Sequence, residues 1–271
     1  MEYGMKLFLE RKLTAMKKWI ALALALVMAL SLAACGGKTG LTVEEGKLHM
    51  STNAEFPPYE MVTNDGGFEG IDVEIAGLIA EKLGLELVVD DMGFTAALEA
   101  VQNGKSDIAM AGITVNEERL ANMDFTSSYA TGIQVVIVPE DSPIASVDDL
   151  ADAELIGTQE GTTGYIYCSD TVENGGYGEE HVVAYETGAV AIQALLTGKV
   201  DCVVIDNQPA QEYVKANPGL KILDTEFAVE DYAIAVKKGS GELLEQVNRA
   251  LQELIADGSV QAVVDKYIAA A

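Results

Sequence analysis

The chain is short of the side chains from which metal sites and nucleophilic active sites are built: its 271 residues include two histidines and three cysteines. His49 and His181 are far apart, each at the start of an expected strand, where a satisfied structural role is the ordinary one. No His/Cys pair has the spacing of a metal site. Neither a metal nor a cofactor is expected. Positive charge is scarce too, with 17 Lys and Arg against 43 Asp and Glu. Five of the basic and two of the acidic residues precede Cys35, so the chain from there on carries −29. A surface that acidic repels phosphate backbones, which excludes nucleic acid as a partner, and it favours solubility outside the cell. The apolar run from Trp19 to Ala34 contains Ser31 and falls short of the roughly 20 apolar residues that a membrane-spanning helix needs.

That run has another reading. Met16-Lys17-Lys18 precedes it and Leu32-Ala33-Ala34-Cys35-Gly36-Gly37 closes it, giving the charged start, apolar middle and small-residue end of a secretory signal. Residues 1–34 are therefore expected to be a signal peptide, with Met16 as a candidate true start. The end of the run looks like a bacterial lipobox, which makes Cys35 the lipidated N-terminus of an extracytoplasmic protein attached to the cell membrane. Residues 35–46, rich in glycine, threonine and charge, are expected to be a flexible tether. Cys202 sits in the apolar run Val200 to Ile205 and reads as a buried thiol, although it could pair with Cys168 in an oxidising compartment.

The 237 residues from Cys35 onward suffice for one large domain or two small ones. Strand and helix signals alternate: strand Leu48 to Thr52, helix Asp72 to Leu83, strand Leu85 to Asp90, helix Thr95 to Asn103, strand Asp107 to Met110. Gly84 and Gly104 mark the two helix ends. Such alternation predicts a largely parallel sheet flanked by helices. A second set begins with the β-branched strand Ile133 to Val138 and a helix-start box at Ser146 to Asp149. It continues with strands at Leu155, His181, Val200 and Leu220 and helices at Tyr165, Ala189 and Pro209. A last strand, Tyr232 to Val236, and two helices, Gly241 to Ala256 and Ser259 to Ile268, are too little to bury a core alone and must pack back on an earlier set.

One stretch concentrates chemistry. Ser106 to Arg119 reads as a short buried strand ending at Ala111-Gly112, followed by Thr114 and a polar helical turn that ends on Arg119. Backbone N–H groups, the Thr114 hydroxyl and a guanidinium would then surround one point, a receptor for a carboxylate. A surface ion pair is the plainer role for Arg119. With Asn53-Ala54-Glu55-Phe56-Pro57-Pro58-Tyr59 and Gly70-Ile71-Asp72-Val73-Glu74-Ile75-Ala76 upstream and Asp124-Phe125-Thr126 downstream, the chain resembles the polar amino acid solute-binding proteins of ABC uptake systems, over roughly residues 47–268. The resemblance implies an α/β, two-lobed, type II periplasmic-binding-protein-like fold. Its first lobe would be discontinuous, 47–132 and 228–271, with 133–227 as the second lobe. Two strand crossings, near Thr131 to Val135 and Glu226 to Asp231, would form the hinge, and the ligand cleft would lie between the lobes.

In open α/β sheets ligands sit beyond the carboxyl ends of strands. Those ends carry Asn53 and Phe56, then Phe94, then Ala111, Gly112, Thr114 and Arg119, and in the second set Gln159, Thr162, Thr163 and Asp206. Asp206 ends an apolar strand, where a carboxylate needs a cation, and it could also cap the following helix. The resemblance implies that a free amino acid bridges the cleft, its carboxylate on Arg119 and its ammonium on Asp206. Phe56 and Phe94 would act as aromatic walls, although either could be ordinary core. Thr162 and Thr163 would add a hydroxyl and a backbone N–H. Asn53 stands where relatives that take cationic ligands have aspartate, and Ala111 and Ile205 are apolar. A polar uncharged or moderately apolar amino acid, cystine included, is thus favoured, while Glu55 leaves a cationic ligand open. The expected partners are ABC permease subunits with a cytoplasmic ATPase, and the protein is expected to act as a monomer. Two other functions fit the resemblance: an extracytoplasmic cyclohexadienyl dehydratase-like enzyme, for which Glu55, Glu160 and Asp206 would be the available acids, and a component of an amino-acid-sensing receptor.

Overall fold

The computed structural model describes residues 40–268. The first strands are β1 (Lys47–Thr52), β2 (Glu55–Phe56), β3 (Glu60–Val62) and β4 (Phe68–Glu69), followed by α1 (Ile71–Leu83) and β5 (Glu86–Asp91). Then come α2 (Phe94–Gln102), β6 (Ile108–Ala109), α3 (Glu117–Asn122) and the long β7 (Met123–Pro139). The chain continues through β8 (Ile156–Gln159), α4 (Thr163–Ser169), β9 (Val182–Tyr185), α5 (Gly188–Leu196), β10 (Cys202–Asp206), α6 (Asn207–Ala216) and β11 (Leu220–Ile222). It closes with β12 (Ala228–Lys237), α7 (Gly241–Ala256) and α8 (Ser259–Tyr267).

Nine strands form one mixed sheet in the order β5-β1-β6-β12-β7-β10-β8-β9, with β11 added on β7. A parallel set, β5-β1-β6, lies on one side and a second, β10-β8-β9, on the other. Between them runs the antiparallel pair β7 and β12, in which Ala228 faces Gln134 and Tyr232 faces Ala130. At about 3.3 Å per residue a 17-residue strand is long enough to serve both sides. Accordingly β10 pairs with Gln134 to Ile137 of β7, while Ala235 and Val236 of β12 pair with β6. The chain thus passes between the two halves of the sheet on neighbouring strands. Helix α7 buries Leu243, Val247, Ala250, Leu251 and Leu254, a stripe at helical spacing, and packs with α8 on α1 of the first half.

Several elements differ from the sequence reading, among them the last strand, which starts at Ala228 and not at Tyr232. Residues 41–46 are held rather than loose: Leu41 packs on the core, Thr42 is buried, and the Val43 N–H donates to the Asp107 carboxylate at 2.6 Å. The strand expected over Ile133 to Val138 starts ten residues earlier, at Met123, because the polar residues before it still pair with β12. The three-stranded sheet β2-β3-β4 has no counterpart in the sequence pattern, since strands of two or three residues are too short for apolar alternation to register. The helical turn carrying Arg119 continues to Asn122, with Asn116 as its cap accepting from the Arg119 N–H at 2.8 Å. The expected signal segment, and Cys35 with its expected lipid, lie outside the described residues. Cys168 and Cys202 are both free thiols buried in the core cluster of the second half, and burial pushes Cys168 up to about 12.

Candidate functional site

All eleven residues singled out at the strand ends line one small cavity of about 20 Å³. Asn53, Phe56, Phe94, Ala111, Gly112, Thr114 and Arg119 come to it from the first half, and Gln159, Thr162, Thr163 and Asp206 from the second. Glu60 completes the lining. Gly112 sits at φ +55, where a Cβ would lie 2.8 Å from the Phe56 ring, so the turn after β6 requires glycine both for its backbone and for its room. The two halves touch across the cavity. The Gln159 amide donates to Asn53 Oδ1 at 2.9 Å, and the Arg119 guanidinium donates to the Gly161 carbonyl at 3.1 Å.

Arg119 is buried, not a surface ion-pair partner. Its guanidinium donates to two carbonyls, of Thr114 at 2.7 Å and of Gly161, and lies 5.4 Å from the centre of the Phe94 ring. Burial pulls its pKa down while the charges of Glu230 and Asp206 hold it up, and a guanidinium so placed stays cationic. Phe94 is both wall and core, since it also packs with Leu98, Val101 and Ile113. Phe56 stacks on Tyr59 with ring centres 5.7 Å apart.

Several expected donors are already engaged. The Gly112 N–H donates to Asp72 Oδ2 at 3.0 Å, and the Thr114 hydroxyl donates to Glu230 Oε2 at 3.0 Å. The Thr162 hydroxyl donates to the Gln159 carbonyl at 2.8 Å and caps α4 by accepting from the Tyr165 N–H. Of the carboxylate receptor assembled from the sequence, the hydroxyls are bound to protein, and the guanidinium, with one bond on each terminal nitrogen, keeps further N–H groups for an anion.

Asp206 departs from its expected roles in two ways. It occupies the cap position of α6 without a side-chain bond to that helix, and no ion pair joins it to Arg119. Instead it accepts from the Tyr232 hydroxyl, a group that sequence reasoning left out of the site. Tyr232 is completely buried, edge-on to Tyr59 at 5.3 Å, and its ring would collide with any Cβ at residue 132, where the chain has glycine. Burial pushes Asp206 up to about 7, the Tyr232 hydroxyl opposing and the charge of Glu230 adding to the shift. Asp72 is raised by burial to about 6, and Glu60, fully buried, is raised well above the carboxylate range by burial and then by the charge of Asp72.

Glu60 and Glu230 are the site's unforeseen acids. Glu230 could have been found from period-two alternation, because Glu230 and Tyr232 face the same side of β12. The two acids set beside Asp206 from the sequence, Glu55 and Glu160, are exposed. The cavity thus combines one buried cation with buried acids on a two-part sheet, the makings of a receptor for a small zwitterion and not of an acid–base pair with a nucleophile.

Comparison with known proteins gives the same class. The chain belongs to the bacterial extracellular solute-binding proteins, family 3, whose model matches residues 48–270. It is 33% identical over 262 residues to a Neisseria gonorrhoeae protein named "Probable histidine-binding protein", a match covering 94% of this chain and 96% of that one. An arginine-binding extracellular protein of Bacillus subtilis is 30% identical over 93% of this chain and 98% of its own. Among solved structures, an ancestral arginine-binding protein bound to arginine superposes with a TM-score of 0.76 at 36% identity, covering 83% of this chain and 99% of that one. The fold is the two-lobed type II binding-protein fold, and the chain is a solute-binding protein, not an enzyme.

Proposed function

We propose that the protein is the extracytoplasmic receptor of an ABC importer, anchored through a lipidated Cys35, which closes on a free amino acid and hands it to permease subunits powered by a cytoplasmic ATPase. In this reading the lobes are residues 47–132 with 228–271 against 133–227. The observation that carries this reading is the pair of buried charged groups at one cavity, Arg119 from the first half of the sheet and Asp206 from the second. An α-amino acid matches both, its carboxylate on the planar guanidinium and its ammonium on Asp206. Closure then costs little net free energy, because the ligand contacts both halves at once.

For the side chain, Asn53, Ala111 and Ile205 favour a polar uncharged or moderately apolar group, or cystine. One relative, from Escherichia coli, is named as an L-cystine-binding protein. A cationic side chain is the second reading. Relatives named for arginine and histidine support it, as does Glu60, whose carboxyl oxygens line the cavity without a hydrogen-bond donor. A thermal-shift panel on residues 36–271, with the twenty amino acids plus cystine and ornithine, tests the proposal, since a ligand of the folded state raises the melting temperature. A rise with one or a few amino acids names the class, and silence across the panel overturns it.

A further inference from the structure

Three donors from three separate elements converge on a single oxygen. Glu230 stands on β12 where that strand crosses between the halves of the sheet, paired with Gly132 of β7, and it is 5% exposed. Its Oε2 accepts from the Thr114 hydroxyl at 3.0 Å, from the Thr163 hydroxyl at 2.9 Å and from the Gln134 amide at 3.1 Å. Thr114 belongs to the turn after β6 in the first half, Thr163 opens α4 in the second, and Gln134 lies on the other crossing strand. Oε1 has no partner among the described residues.

We propose that Glu230 is a latch for closure of the cleft, a positioning residue that joins the two halves by taking one hydroxyl from each. The proposal rests on the reading of the cleft as an amino-acid site. Thr114 and Thr163 are 49 residues apart and meet on the same oxygen only while the turns that carry them face one another. Parting the halves breaks one or both bonds. Hydrogen bonds to an ionised carboxylate are the stronger kind, and a buried carboxylate left half-satisfied is disfavoured, so the network resists opening. Glu230 also lies near enough to Arg119 and Asp206 to influence the ionisation of both. Its placement on a crossing strand gives the latch a fixed post, because β12 is tied to β7 on both sides of it.

Stopped-flow binding of whichever amino acid answers the panel, with small-angle scattering of the ligand-free and saturated protein, tests the latch. Glu230→Ala is expected to raise the dissociation rate about tenfold while the association rate moves less than about threefold. Glu230→Gln, which keeps an acceptor oxygen and nearly the same shape, should fall between it and the wild type. Thr163→Val should accelerate release as well, and should add nothing on top of Glu230→Ala. These single-atom variants also keep the test open should Glu230→Ala fold poorly. A dissociation rate unchanged in Glu230→Ala and Glu230→Gln, with only the melting temperature lowered, overturns the latch and leaves a structural carboxylate. If the wild type answers no amino acid, the amino-acid reading fails separately, and scattering decides the latch. A larger radius of gyration in Glu230→Ala than in the wild type supports it, and identical curves overturn it.

Discussion

The two charged groups facing each other across the cavity are held in opposite ways. Arg119 is fixed by two backbone carbonyls, which neither titrate nor rotate, and by the face of Phe94. Asp206 is held by one tyrosine hydroxyl and sits among other acids, so its ionisation depends on them. The cationic end is therefore a permanent charge in a fixed place, whereas the anionic end is a charge that appears as pH rises or as a cation arrives. A zwitterion supplies both complements: an anion for a guanidinium whose partners are neutral carbonyls, and a cation that favours ionised Asp206.

Breaking the permanent end should have the largest effect. Arg119→Ala is expected to cost about 2–5 kcal/mol of ligand binding by calorimetry, since it leaves a buried ligand carboxylate without its partner. Asp206→Asn removes the charge at the other end and keeps an acceptor for Tyr232, for an expected loss of about 1.5–3 kcal/mol in the same measurement. The support of the anionic end can be attacked without touching either charge. Gly132→Ala would place a Cβ 2.3 Å from the Tyr232 ring and hydroxyl, and should lower stability by about 1–3 kcal/mol in denaturant unfolding. On the cationic side the matching change is gentler. Thr162→Ala removes the cap of α4 next to Gly161, at a cost of about 1 kcal/mol of stability.

The comparison is sharpened most by pH. Asp206 binds its proton more tightly in the fold, at about 7, than its ordinary value of 3.8 allows in the unfolded chain. Between those values the folded state holds the extra proton, so this group's contribution to ligand-free stability is greatest below about pH 4 and is lost as pH rises toward 7. Ligand affinity should run the other way, because an ammonium requires the ionised form. It should climb from pH 5 to 8 and level off above, and the climb should disappear in Asp206→Asn.

The fold was legible where elements were long enough to show a period. The helices and most strands of the main sheet stand within a few residues of where alternation and glycine placement put them. The strand ends also pointed to eleven of the twelve residues that line the cavity. What the sequence concealed was the pairing of buried polar groups. Starting the final strand at Tyr232, four residues late, left Glu230 in a link and hid the face it shares with that tyrosine. Glu60 was invisible because β3 is only three residues long. The turn donors assigned to the ligand, Gly112 N–H and Thr114 hydroxyl, have Asp72 and Glu230 as partners, and such long-range competition cannot be read from local spacing.

The central claim is that one amino acid spans Arg119 and Asp206. A crystal structure of residues 36–271 with the amino acid that answers the thermal panel tests it most directly. The ligand carboxylate is expected in hydrogen-bond contact with the Arg119 guanidinium and its ammonium on the Asp206 carboxylate, between Phe56 and Phe94. A ligand bound outside this cavity, or one whose carboxylate does not meet Arg119, would contradict it.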